Sequence, residues 1–426
     1  MLNTRSHITK FFQTTLLWLF LVSVPISGFA EIRLGNLKVE PSIGYEGQYN
    51  SNIYSSNVNK QSDYIHKIKP AIQIGKDEDK YFKAGYKADV VLYSQNAGNN
   101  YQAHNPYLFF GIKPPKDDER GFYLEGEEEY LNTEDSYGAD NQYNQGVKTR
   151  RWNNQAKLLL GYKSANRYSV EGSYENFMQR FAEETNQWQD RTEHRYGASL
   201  HLPQFYNAFL QYRQTKAAYD KQNDGIGGWS KTSSQDYRLS DYFIGLRFKP
   251  GGKIRGEAKL GYGQKNFENE SDKNGLGYKN GSSWIAETNL KYEIERDEKT
   301  TLIFNFQRGY KGSPAEDSAS YIDTLVGTEL EHYFWKKVDA NNKPINHLKI
   351  NVGGDFGTND YEDQTPGLPR KSFRIYLFKS GIEWQIIKHL RAGLEYKYQQ
   401  RNANEAAYEA YNYDNNIFTL NVNAVF

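Results

Sequence analysis

The last ten residues, IFTLNVNAVF at 417–426, alternate between two kinds of side chain. Apolar residues take every second position from Phe418 to Phe426, and polar Thr419, Asn421 and Asn423 lie between them. A period of two is the period of a β-strand, whose successive side chains point to opposite faces of the sheet. The end of the chain is therefore predicted to be a strand with one apolar face and one polar face.

The same alternation occurs in earlier segments. Between residues 82 and 92, apolar residues on one face oppose Lys83, Lys87 and Asp89 on the other, and the segment from Leu390 to Arg401 repeats the pattern. A soluble β-sandwich also alternates, but its apolar face needs a second sheet to cover it, and soluble sheets seldom have so many outward Tyr. One lipid-compatible face and one ionic face predict an all-β fold, a transmembrane antiparallel β-barrel.

Segments of this kind recur from about Val39 to the last residue. Their number is about eighteen, with sixteen as the alternative. The connections alternate in length, from short ones such as 76–80 and 295–300 to long polar ones such as 132–150 and 218–235. Short periplasmic turns and long outer loops in succession are typical of a bacterial single-chain barrel, and an even strand number leaves both termini in the periplasm.

The first thirty residues have the parts of a secretory signal peptide. Arg5 and Lys10 supply positive charge, an apolar run follows at 11–24, and Gly28 and Ala30 are small residues where a signal peptidase reads. The alternative is an uncleaved anchor, but the run is shorter than the ~20 residues that a spanning helix needs. Cleavage after Ala30 is predicted, so residues 1–30 form a signal peptide and residues 31–426 an outer-membrane β-barrel.

The composition narrows the class of protein. The 426 residues include no cysteine, so disulfides and thiolate sites are excluded. The 35 Tyr, 23 Phe and 7 Trp argue against the disorder that a mean hydropathy of −0.86 would suggest. Barrels combine a polar lumen with Tyr and Trp at the membrane interfaces. A net charge of +1, from 53 basic and 52 acidic residues, gives no general attraction to nucleic acid, so nucleic-acid binding is not expected.

The alternation also predicts which charged side chains line the lumen. Barrels of sixteen to eighteen strands enclose an aqueous channel, whereas about eight strands are filled by their own side chains. The candidate lumen or solute-binding residues are Lys83, Lys87, Asp89, Arg255, Glu257, Lys259, Arg391, Glu395, Lys397 and Arg401. Other charged positions of the same parity are Glu125, Glu127, Glu129, Lys157, Glu171, Glu175, Arg195, Arg213, Glu287, Lys291 and Glu293.

This predicted lumen wall carries charges of both signs. Strong selectivity for a simple anion or cation does not follow from such a wall. Neutral or polyhydroxylated solutes suit it better, because carboxylates, amides and guanidinium groups offer paired hydrogen bonds to vicinal hydroxyls and Tyr rings stack on sugar rings. The alternative for each residue is that the charges pair across strands and only keep the lumen wet.

Two features invite a catalytic interpretation, and neither supports an enzyme. Glu125, Glu127 and Glu129 line one face of a strand, but a glycosidase pair needs environments that separate the two pKa values, and cross-strand pairing explains these residues more simply. His201 on the predicted lumen face and His332 on the predicted lipid face have no serine that stands out beside them. The protein is therefore predicted not to be an enzyme.

Cation and cofactor motifs are also missing from the sequence. The acidic loop stretches, such as Asp360, Glu362 and Asp363, match no defined cation-binding loop, and a solvated loop is the simpler interpretation. No phosphate-cradling glycine loop and no zinc motif occurs. No metal and no cofactor is expected.

Three stretches in the first third of the mature chain form a recognisable opening. They are Asn52-Ile53-Tyr54, then Ser62 to Pro70 leading into 71–75, and then 81–96. They resemble the opening of the putative beta-barrel porin 2 family, whose members share a first strand ending near Asn followed by Ile or Val and an aromatic, a loop reaching Ser-Asp, and a second strand containing Pro. The resemblance implies an outer-membrane barrel, frequently encoded among genes for exopolysaccharide or capsule production, and it carries over no functional residues.

Three functions remain open at this point. The first is a channel of an exopolysaccharide or capsule system that passes or exports a polar, sugar-rich solute. The second is a general or oligosaccharide uptake porin, and the third is a non-conducting structural barrel that organises surface polysaccharide. The expected partners are outer-membrane lipid and lipopolysaccharide, a polysaccharide or oligosaccharide ligand, a periplasmic export partner, and the barrel-assembly machinery, whose client signal the terminal aromatic strand resembles.

Overall fold

The structure is a computed structural model that describes most of the chain beyond residue 31. The described ranges are 32–116, 119–136, 147–165, 168–202, 207–220, 222–223, 229–230, 235–248, 252–271, 277–295, 299–313, 320–338, 344–362 and 369–426. The predicted signal peptide and its cleavage site lie outside the described residues, and so does Asp363.

Eighteen long strands, numbered β1 to β18 in chain order, form the wall of the molecule. They are Leu37–Asn50, Asp63–Asp77, Lys80–Tyr93, Tyr101–Ile112, Gly121–Thr133, Arg151–Lys163, Ser169–Phe181, Arg191–Leu202, Ala208–Tyr219, Tyr237–Phe248, Ile254–Phe267, Gly281–Glu293, Thr300–Gly312, Ser320–Val338, Pro344–Tyr361, Ser372–Ile387, Leu390–Ala403 and Tyr413–Val425. A short strand, Ile32–Leu34, pairs with the beginning of β1. A small hairpin, Gln222–Asn223 with Trp229–Ser230, lies between β9 and β10.

The wall closes on itself. Each strand pairs antiparallel with the next one along the chain, and β18 pairs with β1. This seam runs from the Ser42–Val425 pair to the Asn50–Ile417 pair. Because closure leaves no strand edge, backbone N–H and C=O groups are satisfied within the sheet, as a hydrocarbon environment requires. The predicted closed barrel with eighteen strands is confirmed, and the alternative of sixteen is wrong.

The period of two gives the wall an apolar outside and a charged inside. Large apolar side chains such as Phe82, Leu260 and Leu394 are exposed on the outside. Residues between them, such as Lys259 and Glu395, point inward and line cavities of the lumen. This arrangement suits a membrane, where lipid contacts the apolar face and water fills the interior.

The two ends of the barrel differ in their connections. At one end, two-residue turns join β2 to β3 and β16 to β17. At the other end, the loops are longer and include short 3-10 helices at Ala97–Asn99, Glu184–Gln189 and Ala406–Tyr411. Since bacterial barrels have short periplasmic turns and longer outer loops, the first end is assigned to the periplasm and the second to the cell exterior. Within the described ranges, no helix is long and apolar enough to cross a membrane.

One outer loop, residues 404–412, folds inward over the mouth of the barrel. Its Tyr408 is buried in an aromatic cluster with Tyr321, Tyr361 and Phe373 of the inner wall. The Tyr408 hydroxyl donates a hydrogen bond of 2.9 Å to the backbone carbonyl of Pro369. Burial of these rings holds the loop against the wall, so it narrows the outer entrance.

Candidate functional site

Several charged side chains on the inner face of β7 to β12 form ion pairs. Nη1 of Arg195 lies 2.8 Å from Oε2 of Glu175. Nη2 of Arg213 lies 2.8 Å from Oδ2 of Asp241 and 2.8 Å from Oε1 of Glu287. Nζ of Lys259 lies 2.7 Å from the other Glu287 oxygen. These six residues, Glu175, Arg195, Arg213, Asp241, Lys259 and Glu287, are called the charged wall below.

Strand register explains most of the charged wall. Glu175 opposes Arg195, Arg213 opposes Asp241, and Lys259 opposes Glu287 across neighbouring strands. Opposite charges directly across a strand pair contribute about 0.2–1 kcal/mol each. The bond from Arg213 to Glu287 is different, because it reaches from β9 to β12 across the inner surface. It joins the Arg213–Asp241 and Lys259–Glu287 pairs into one network, and the Glu175–Arg195 pair lies beside them.

The centre of the charged wall is firmly held. Arg213 donates from both Nε and Nη2 to the same Asp241 oxygen, at 3.0 and 2.8 Å. The Asp241 side chain is only 3% exposed, so Arg213 covers it from the lumen. The Arg213 guanidinium and the Lys259 ammonium also lie over the Phe243 ring, 5.2 and 4.7 Å from its centroid. Such cation–π contacts add to the ion pairs.

A cavity of about 670 Å³ lies against the charged wall. Its lining adds three amide side chains to the charges, Asn289, Asn305 and Gln307. The Asn289 amide donates to the Asn305 oxygen at 2.7 Å. The volume is within the range of small-molecule sites, and the lining presents both donors and acceptors. A solute that carries hydroxyl groups can satisfy both kinds of partner.

A second charged region lies near the seam of the barrel. Lys87 and Asp89 of β3 and Arg391 of β17 line a cavity of about 440 Å³. Arg391 also lines a neighbouring cavity of about 270 Å³, together with Glu395 and Asn421. The structure thus brings four of the ten sequence-predicted site residues together at one place. Lys87 also lies over the Tyr107 ring, 4.6 Å from its centroid.

The other candidates are spread over the wall. Glu257 and Lys259 line the 670 Å³ cavity. Arg255 is paired with Glu293 at 3.1 Å, and Lys83 with Asp77 at 3.4 Å, both towards the periplasmic end. Lys397 lies opposite Lys379 across β16 and β17.

Arg401 has a different position from the other nine candidates. Its side chain is fully buried beneath loop 404–412. Nε and Nη2 donate to the Tyr411 carbonyl at 3.0 and 2.8 Å, and the guanidinium lies over the rings of Phe373 and Tyr413. A group held in this way has no access to a solute in the lumen. Arg401 instead stabilises the inward fold of the loop.

Aromatic rings lie flat against the inner wall where a neighbouring strand carries glycine. The Tyr107 ring lies over Gly85, and the Tyr123 ring lies over Gly161. A Cβ at either glycine would collide with the ring. The Tyr123 hydroxyl is fixed by a hydrogen bond of 2.6 Å to Glu171. Glycine therefore lets the rings lie along the wall instead of crossing the channel.

His201 lies on the inner wall with Ser199 and Glu171, but the three do not form a catalytic triad. His201 Nε2 lies 3.0 Å from Glu171 Oε2 and 3.3 Å from Ser199 Oγ. The Ser199 hydroxyl donates to the same Glu171 oxygen at 2.9 Å. In a triad, the acid and the nucleophile occupy opposite ring nitrogens. Here both are at Nε2, so the serine cannot be activated through the ring.

The residues that carry the family resemblance anchor the outer loops. The Asn52 side chain is fully buried and donates to the carbonyls of Ser56 and Asp414. Ile53 packs against Ile65 and Val91 on the inner wall. Nearby, the buried Asp63 carboxylate accepts hydrogen bonds from the backbone N–H groups of Gln95 and Asn96. The Asn-Ile and Ser-Asp motifs thus hold two loops at the mouth and contact no lumen cavity described above.

The lumen residues predicted from the sequence omitted Asp241 and Phe243, as well as the three amide side chains of the cavity. Asp241 and Phe243 lie on the lumen face of β10, where their inward neighbours Tyr237 and Leu239 are apolar or aromatic. Because the inward positions of this strand are not consistently polar, its sequence does not indicate that Asp241 pairs with a cation in the lumen. The part of the chain that the structure describes holds no cluster of three or more His, Cys, Asp or Glu suited to a metal ion.

A closed eighteen-strand barrel with a charged lumen and an apolar outer surface is the architecture of an outer-membrane porin-like channel. A model of the putative beta-barrel porin 2 family matches residues 27–426, so the chain belongs to this family. The resemblance found in its opening is confirmed. The fold and the family define a porin-like channel protein of the outer membrane.

Solved structures show similar barrels at low sequence identity. Pseudomonas aeruginosa OccK2 (OpdF) in complex with glucuronate is 10% identical with a TM-score of 0.49, over 92% of this chain and 98% of that chain. The P. aeruginosa outer membrane protein opdK is 10% identical with a TM-score of 0.48, over 91% and 98%. A bacterial polysaccharide outer membrane secretin is 10% identical with a TM-score of 0.40, over 92% and 100%. At these scores the likeness carries no argument about function. No curated protein matches the chain.

Proposed function

We propose that the barrel is a channel of an exopolysaccharide or capsule system, through which a polar, sugar-rich solute crosses the outer membrane. The observation that carries the proposal is the composition of the charged wall and its cavity. Guanidinium, ammonium, carboxylate and amide groups meet there within one network, with both signs of charge in contact. The family resemblance supports the exopolysaccharide context.

A paired wall favours neutral, hydroxylated solutes over simple ions for an electrostatic reason. Each carboxylate of the wall is compensated by a cation within hydrogen-bond distance. The long-range field that would concentrate ions of one sign is therefore small. The remaining lone pairs and N–H groups still exchange water for sugar hydroxyls at little net cost. We propose the same role for Lys87, Asp89, Arg391 and Glu395 near the seam.

Uptake of oligosaccharides by a porin of this architecture is the second candidate, because the same wall would serve either direction. A structural barrel that organises surface polysaccharide is the third, and the inward loop 404–412 favours it by narrowing the outer entrance. A strain that lacks the gene separates the first two. Loss of surface polysaccharide supports export, whereas normal polysaccharide with slower oligosaccharide uptake supports a porin.

The direct test is single-channel conductance of the refolded mature protein in a planar bilayer, titrated with neutral oligosaccharides. We expect an open channel whose current is blocked by oligosaccharides. We also expect the block to weaken by about tenfold in Glu287→Gln, because the substitution replaces a carboxylate oxygen that accepts hydrogen bonds by an amide nitrogen that donates them. A tenfold weaker block corresponds to roughly 1.4 kcal/mol in the free energy of oligosaccharide binding. Lys113→Gln, in a periplasmic turn, is the matched control. A barrel that never conducts would overturn the transport proposal and support the structural one.

A further inference from the structure

Three basic side chains stand side by side on the outer surface of the barrel, near its loop end. Lys216 of β9 lies directly opposite His194 of β8 on one side and Arg238 of β10 on the other. They share the outward parity of Tyr196 and Tyr242, whose rings are exposed on the outside. Directly opposed residues lie about 5 Å apart, so the three form one continuous patch. His194, Lys216 and Arg238 are called the basic row.

No ion pair among the described residues neutralises the basic row. Lys216 and Arg238 are exposed, and within the described ranges neither takes part in an ion pair. Within the strands β7 to β11, the outward positions include no Asp or Glu. The nearest acids of the same parity, Asp220 and Asp236, adjoin the loop ends of β9 and β10, and Asp236 accepts a hydrogen bond of 2.7 Å from the Tyr219 backbone N–H. Arg180, a further outward cation on β7, is paired with Asp220 at 3.0 Å. Two like charges opposite each other without an acid repel, and an anion between them relieves this repulsion.

His194 is oriented by its neighbours on the same face. Its Nδ1 lies 2.9 Å from the Tyr174 hydroxyl and 3.2 Å from the Asn176 amide nitrogen. When these groups donate to Nδ1, the ring hydrogen is on Nε2. The row then presents an imidazole N–H, an ammonium and a guanidinium, which are all hydrogen-bond donors.

An aromatic belt lies on the membrane side of the basic row. Its members are Tyr174, Tyr196, Tyr212, Tyr242, Tyr262 and Trp284, which oppose one another in neighbouring strands or lie on adjacent ones. Along each strand, the basic residue is nearer the outer loop than the aromatic residue, as in Tyr196 and His194 or Tyr212 and Lys216. Tyr and Trp of membrane proteins collect at the level of the lipid headgroups. The basic row therefore lies at, or just outside, the headgroups of the outer leaflet.

We propose that the basic row binds a phosphate group on the sugar headgroup of lipopolysaccharide in the outer leaflet. A guanidinium fork with an adjacent ammonium is a strong phosphate-binding combination. The aromatic belt below the row offers rings for the headgroup sugars and the upper acyl chains to pack against. This inference concerns the outer surface and does not depend on what crosses the lumen.

Other parts of the outer surface have a different charge pattern. On β15 to β18, the outward positions near the loops include the carboxylates Asp360 and Asp414 and one cation, Arg374. Arg374 lies opposite Thr358 and Asn402, so it has no basic neighbour across the strands. Specific binding of a phosphorylated lipid is thus expected on the β8–β10 side and not here.

The test is binding of bisphosphorylated lipid A to the purified mature barrel in detergent, measured by native mass spectrometry. In the double variant Lys216→Gln/Arg238→Gln, we expect affinity to fall by tenfold or more. The control Arg374→Gln, also an exposed outward cation, is expected to bind as the wild type does. Heat-dependent gel mobility shows whether each variant is folded, and the two single variants replace the double variant if it does not fold.

Two further arms separate the lipid from other anions. Lipid A without phosphate is expected to bind the wild type as weakly as the bisphosphorylated form binds the double variant. Inorganic pyrophosphate at millimolar concentration is expected not to displace the lipid. Equal affinity of the variants and the wild type, or equal binding of the phosphate-free lipid, would overturn the proposal. Displacement by pyrophosphate would overturn it as well, since the row would then be a site for free anions.

Discussion

Replacing Arg401 by Met is expected to release loop 404–412 from the lumen and leave the barrel wall closed. The Arg401 guanidinium is fully buried and bonds the Tyr411 carbonyl through two nitrogens. It lies 5.3 Å from the centroid of the Phe373 ring and 4.9 Å from that of Tyr413. Met fills a similar volume but can make neither the hydrogen bonds nor the cation–π contacts.

The magnitude follows from these contacts. A hydrogen bond from a charged donor contributes about 1.5–3 kcal/mol, and a desolvated cation–π contact up to about 2 kcal/mol. Burial of the apolar Met side chain offsets part of the loss. A net change of roughly 2–4 kcal/mol in the free energy of loop opening is expected. At 1.4 kcal/mol per tenfold, this is roughly a 30-fold to several-hundredfold increase in the open population.

The assay combines two readouts of the same loop. Single-channel recordings are expected to show a larger mean conductance in Arg401→Met, because the loop spends more time out of the mouth. Limited proteolysis of the folded barrel is expected to cut within 404–412 faster by a similar factor, as long as opening is rapid compared with cleavage. Gel mobility without heating confirms that the barrel itself is intact.

Lys397→Met is the matched control for this prediction. Lys397 is on the same strand and the same inner face, and within the described ranges it forms no ion pair. The Lys397→Met substitution is expected to change neither the rate of loop proteolysis nor the mean conductance by more than about twofold. Unchanged proteolysis and conductance in Arg401→Met would refute the reasoning. Loss of the folded barrel would refute it too, because Arg401 would then support the wall rather than the loop.

Two further substitutions test the charged wall and the assignment of faces. Arg213→Gln is expected to lower the free energy of unfolding by about 3 kcal/mol, because it leaves the Asp241 carboxylate buried without its cation. Adding Asp241→Asn is expected to restore part of this loss. Urea titrations measure both changes. Leu394→Arg is expected to lower the free energy of unfolding by about 2–4 kcal/mol, because the side chain at 394 faces lipid. Glu395→Arg is expected to lower it little, because the side chain at 395 faces the lumen. Equal refolding yields of these two in vesicles would contradict the faces assigned to β17.

The strand class, the closure and the faces were predictable from the sequence. Alternation such as that of Phe418 to Phe426 fixes which side chains point outward, because the direction of a side chain in a strand depends only on its position along the strand. The same argument placed Lys87, Asp89, Arg391 and Glu395 on the inner face, and the structure brings these four to neighbouring cavities. The alternation of side-chain direction along a single strand is therefore sufficient to predict which residues face the lumen.

The partners of each inner side chain were decided only by the tertiary structure. Arg391 and Arg401 share a strand and a face, yet Arg391 lines a cavity while Arg401 is buried under a loop that folds back from the mouth. The contact from Arg213 to Glu287 likewise depends on the register of four strands and on the curvature of the closed wall. Parity along one strand carries no information on loop direction or barrel curvature, because both arise from packing between residues far apart in the chain.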